Sequence, residues 1–107
     1  MSDSLKVYSQ AVLGLYTRLP ATPTKARPAD RRLLEQLHAR RVPFPTVEAA
    51  LFLASARRIC RDPAKPPLPH IRSLAYFLPT IEELLRTPMP SGYLTYVRSK
   101  VSFKSTS

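Results

Sequence analysis

Twelve prolines against two glycines limit what this chain of 107 residues can fold into more than any other feature it carries. Flexible linkers and phosphate-cradling loops need glycine, whereas proline fixes φ near about −65° and makes short, stiff connections between helices. Prolines cluster at 20–28, 43–45, 63–69 and 88–90, and the stretches between carry helical periodicity. No run alternates apolar and polar residues for long enough to build a sheet, and no internal repeat is evident. The expected fold is all-α: one compact bundle of about five helices over 1–101, with proline-rich connections and a frayed basic tail at 102–107.

Leu5, Tyr8, Val12, Leu15 and Leu19 follow a 3-4-3-4 spacing, which predicts a first helix ending before Pro20. Pro28 suits the first turn of a second helix, where its missing N–H is not needed, and Leu33, Leu34 and Leu37 would then point inward. Arg31 and Glu35 are placed for a surface pair at i, i+4. After the break VPFPT, Thr46 is the expected cap of a third helix running to about Arg61, with Glu48 near its positive end. Residues 49–56 are apolar on nearly every side, so this helix is expected at the centre of the core, with Cys60 as a small buried residue. The loop DPAKPPLP holds four prolines and must be rigid. Ile71, Leu74, Leu78, Ile81 and Leu85 repeat the spacing across Pro79, which predicts one helix kinked there, with two short helices as the rival. Glu82 is spaced to pair with Arg86, TPMP stops the helix, and Ser91 is the expected cap of a last short helix containing Tyr93, Tyr96, Val97 and Val101.

An apolar content of 44% is ordinary for a globular domain, but 17 Lys and Arg against 7 Asp and Glu give a formal charge of +10, and 12 of the cations are Arg. That balance favours a polyanionic partner, nucleic acid above all. Lys25, Arg27, Arg31 and Arg32 precede or open the second helix, Arg40 and Arg41 end it, and Arg57, Arg58 and Arg61 end the third. Between 18 and 61 there are ten basic residues and three acidic ones. Arginine grips phosphate with a planar fork, and several on one face would release counterions on binding. A plainer explanation competes: cations at a helix C-terminus complement its dipole, at about 0.3–1 kcal/mol each. Lys25 and Arg27, in a loop, escape that explanation. The second and third helices with their short turn have the outline of a helix-turn-helix hairpin, yet Thr46, Val47, Glu48 and Ala49 would read base edges poorly. Tyr76, Phe77, Tyr93, Tyr96 and Phe103 gather in the last third, interleaved with Arg72, Arg98, Lys100 and Lys104. Rings beside cations can stack and steer single strands, although Phe77 is expected in the core.

Catalytic equipment is sparse. His38 and His70 lie 32 residues apart, no Cys/His spacing suits zinc, and Glu82 and Glu83 diverge by about 100° on a helix. Asp30 is better placed to start a helix than to act as a catalyst. The expectation is a non-enzymatic protein with no metal or cofactor. A single cysteine points to a reducing compartment, with cytoplasm the default, and no stretch reads as a targeting segment or membrane span.

The order HARRVPFPTVEAALFLASARR, then PLPHIRSLAYFLPTIEELL, resembles helical C-terminal regions of replication-initiation proteins of phages and plasmids, including the primosomal DnaD-type domain. A unit of helix, short turn and V-x-x-A-I/L is similar to residues 47–51, and I-R-S/N-x-x-x-Y/F is similar to residues 71–77. The resemblance covers about 50 of 107 residues. It implies DNA-associated work in a mobile element, with single strands contacted through Arg72 and Tyr76. The leading expectation is an accessory nucleic-acid-binding protein, more for DNA than RNA, acting through phosphate contacts. The alternative is an adaptor whose first or last helix docks on a larger acidic subunit; exposed apolar area around Leu13 and Tyr16 would favour it.

Overall fold

Proline marks the start of three of the helices. The structure, a computed structural model, describes residues 3–90 and 92–103. Helix α1 spans Asp3–Tyr16, α2 Pro28–Ala39, α3 Phe44–Ile59, α4 Leu78–Arg86 and α5 Tyr93–Ser99, with a 3-10 turn at Leu74–Phe77 before α4. Pro28, Pro45 and Pro79 sit in the first turns of α2, α3 and α4, where a helix has no partner for their missing N–H. Gly92 precedes α5 at φ 85°, a left-handed backbone that glycine adopts without penalty. Among the described residues the molecule is all-α, with no strand.

Three boundaries differ from the sequence reading. Helix α3 begins at Phe44 rather than after Thr46, because the Pro43 carbonyl already accepts the Thr46 and Val47 N–H groups at 3.1 and 3.3 Å. Pro79 does not kink a single helix: the chain forms the 3-10 turn and then starts α4 with the proline in its first turn, which is the rival arrangement. Ile71 lies outside either helix, and its N–H donates to the Ala21 carbonyl at 2.8 Å. Helix α1 ends at Tyr16, but Leu19 still reaches the core through a turn that closes with Ala21 at φ 65°. The expected Ser91 cap and residues 104–107 of the expected tail lie outside the described residues.

Helix α3 occupies the centre. It packs against α1, α4, α5 and the 3-10 turn, and every residue from 49 to 56 is buried, as its all-round apolar sequence requires. Val12, Leu15, Tyr16 and Leu19 cover one side, Leu34 and Leu37 of α2 extend that wall, and Ile71, Leu74, Phe77, Ile81 and Leu84 close the other. Leu84 faces the core and Leu85 is exposed, the reverse of the extrapolated spacing, because the inner side of α4 is the one carrying Thr80, Ile81 and Leu84. The α2–α3 hairpin is open. Helix α2 packs on α1 and the 3-10 turn rather than along α3. The Cα radius of gyration is 13.8 Å, near the roughly 13 Å of a compact chain of about 100 residues. Among the described residues no helix is long and apolar enough to cross a membrane.

Candidate nucleic-acid interface

A buried carboxylate fixes one edge of the basic surface. Asp30 is 1% exposed in the first turn of α2; its Oδ2 accepts the Arg27 N–H and its Oδ1 accepts the Leu74 N–H, both at 2.9 Å. Together with the bond between Ile71 and Ala21, this pins the loop carrying Lys25 and Arg27 against the segment carrying Arg72. Burial of Leu34 and Leu37 turns Arg31 and Arg32 to the outside of α2, and Arg41 follows the helix at φ 60°. All six side chains are exposed, and none has a hydrogen-bond or ion-pair partner among the described residues. Arg31 and Glu35 do not form the pair their spacing allows.

The other cations of the sequence reading are tied within the fold. Arg40 makes two bonds to Glu82, at 2.8 and 3.1 Å, and Arg57 makes two to Glu83, at 2.9 and 2.8 Å. The divergence of adjacent helical carboxylates that disqualified Glu82 and Glu83 as a catalytic pair lets one reach α2's end and the other α3. Glu82 thus takes Arg40 rather than Arg86. These bonds hold both carboxyls below the usual carboxylate range and push both guanidinium pKa values up. Arg58 donates to the Tyr76 hydroxyl and the Pro69 carbonyl and lies 5.4 Å from the Tyr76 ring centre; Arg61 donates to the Pro66 carbonyl. Arg98 sits 3.8 Å from Glu48 and 5.1 Å from the Phe52 ring centre. These five remain at the surface, but phosphate would have to compete with partners already in place.

The aromatics divide in the same way. Phe77 is fully buried, edge-on to Tyr16. Tyr93 and Tyr96 are exposed and stacked on each other with centres 5.7 Å apart, and the Lys100 Nζ lies over Tyr96 at 5.1 Å. A base stacking on Tyr96 would therefore displace Tyr93 or Lys100. Phe103 lies against Phe52 and beneath Arg18. The tyrosines edge a groove of about 400 Å³ between α3, α4 and α5, and Cys60 lines it. Cys60 is exposed, not buried, because it caps the C-terminus of α3 beyond the last residue that packs, Ala56. At the other end of α3, Val47 and Ala49 are buried and the half-buried Glu48 turns toward Arg98, so two of the four positions a helix-turn-helix would offer to bases face the core and a third is an acid held by an arginine.

No pattern in the sequence alone identified the pairing of Glu82 and Glu83 with Arg40 and Arg57, since it joins residues 42 and 26 positions apart. Among the described residues no group of three or more His, Cys, Asp or Glu side chains could hold a metal ion. Comparison with protein-family models, curated proteins and solved structures finds no match to this chain.

Proposed function

We propose that this chain is a non-enzymatic accessory protein that binds nucleic acid through phosphate contacts, on the loop before α2, the outer side of α2 and the adjoining segment at Arg72. The observation that carries this reading is the set of six exposed, unpartnered cations: Lys25, Arg27, Arg31, Arg32, Arg41 and Arg72. The resemblance to replication-initiation proteins favours DNA over RNA and a role in a mobile element's nucleoprotein complex, and the single cysteine favours a cytoplasmic setting. Backbone contacts position a protein without reading sequence, so little sequence preference is expected. Docking through α1 has less support, because Leu13 and Tyr16 are 9% and 0% exposed.

The test is fluorescence anisotropy of labelled duplex DNA, single-stranded DNA and structured RNA, each titrated with the protein over a range of salt. Six phosphates neutralised on a duplex would give a slope of log K against log salt of about −5. Duplex DNA is expected to bind at least as well as a single strand, since the exposed tyrosine pair is occupied by its own neighbours. No binding to any of the three at low salt would sink the proposal.

A further inference from the structure

Beyond the end of α3 the chain turns at 62–65, where the Lys65 N–H donates to the Asp62 carbonyl at 3.1 Å, and then runs as a strap through Pro66, Pro67 and Pro69. Each proline fixes its own φ, and a residue preceding proline is held to extended or polyproline II backbone, so Lys65, Pro66 and Leu68 are constrained as well. A polyproline II helix repeats every three residues, which puts the Pro66 and Pro69 carbonyls along one edge. Both carbonyls on that edge are taken: Arg61 donates to Pro66 and Arg58 donates to Pro69. Arg58 lies in the last turn of α3 and Arg61 directly follows its C-cap, so the two donors are three residues apart in sequence, as are the two carbonyls they hold. One edge of the strap is fastened to the fold and the rest of it faces outward. Residues 62–70 are exposed throughout, with Leu68 at 39%.

We propose that the ridge Pro66-Pro67-Leu68-Pro69 is a docking surface for a partner protein whose groove is lined by aromatic rings and rimmed by carboxylates. Aromatic grooves recognise polyproline II segments because the ligand loses little freedom on binding, and here the arginine clamp has already ordered it. Between 61 and 70 the chain carries Arg61 and Lys65 against the single acid Asp62, and that excess suits an acidic rim. The chemistry disfavours nucleic acid on this ridge. Its prolines have no N–H to donate and its outward carbonyls accept, as phosphate oxygens do. This surface is separate from the phosphate-binding residues on α2, and either assignment can fail without the other.

The experiment titrates the full isotope-labelled protein with an isolated SH3 domain and, separately, an isolated WW domain, following backbone amide shifts. Saturable shifts are expected at Lys65, Leu68 and His70, with little change on α2. Replacing Pro67→Ala together with Leu68→Ala should weaken the complex at least tenfold and leave the melting temperature and the DNA salt slope unaltered. The proposal is overturned by no saturable shift with either domain at millimolar concentration, by shifts centred elsewhere, or by equal affinity of the double variant. Displacement of the domain by duplex DNA would also overturn it, assigning the ridge to nucleic acid.

Discussion

Asp30 joins two stretches of chain 44 residues apart, and its value lies in what its removal would leave behind. Asp30→Ala strands two backbone N–H groups, one of them buried, and should cost about 2–3 kcal/mol, or a fall in melting temperature on the order of 10 °C. Tyr16 presents the opposite case. Its hydroxyl is buried with no hydrogen-bond partner among the described residues, so Tyr16→Phe removes an unsatisfied group and should be neutral or stabilising by up to about 1 kcal/mol. Burial, reinforced by the charge of Asp30 and opposed by Arg27, pushes the Tyr16 pKa up to about 12. The folded state then holds its proton after the unfolded chain has released it, so stability is complete below about pH 10 and falls as pH rises toward 12. Alkaline unfolding curves of the wild type and Tyr16→Phe should differ in that window, the variant falling less steeply. Asp30's part in starting α2 was legible from its place after Pro28; its bond to Leu74 was not, because no local pattern encodes a contact at that separation.

At the scale of elements, α4 is a clamp. Its inner side packs Ile81 and Leu84 on the core, while Glu82 holds the end of α2 and Glu83 holds α3. Both carboxyls have lowered folded-state pKa values, so their contribution is present above the unfolded carboxylate pKa and lost as pH falls through the lowered one. Melting temperature should therefore drop on acidification below about pH 5, and the double variant Glu82→Gln/Glu83→Gln should melt lower at neutral pH and lose much of that dependence. A double variant with the wild type's acid profile would show that the two pairs contribute nothing to stability. Helix number and approximate limits were legible because proline clusters separate periodic stretches. Pro79 was ambiguous, since proline is tolerated both at a kink and in a first turn. Leu85 was assigned inward because it continues the spacing of Leu78 and Ile81, whereas the inner side of α4 is the one carrying Thr80, Ile81 and Leu84. The local claim of Arg86 on Glu82 was reasonable by spacing, but packing brings Arg40 within a bidentate grip, and geometry of that kind is stronger than an i, i+4 contact.

For the whole molecule, the charge of +10 was plain in the sequence, but its division into free and occupied cations was not. Replacing Arg57, Arg58 and Arg61 together would be the natural way to disable a phosphate site judged from clustering alone. In the fold these residues secure α4, Tyr76 and the proline strap. Their triple Gln variant is expected to melt lower and to keep the DNA salt slope within about one unit of wild type. Replacing Lys25, Arg31, Arg32 and Arg41 by Gln removes side chains with no partner in the chain, so the melting temperature should hold while the slope shrinks by about 3–4. The two variants remove three and four cations respectively, so a nonspecific response to net charge would reduce both slopes roughly in proportion. A slope that shrinks in the α2 variant alone locates the phosphate contacts on that surface, whereas loss confined to the α3 variant would mean that phosphate displaces Glu83 and the strap carbonyls and that the bonds in the fold are the weaker competitors.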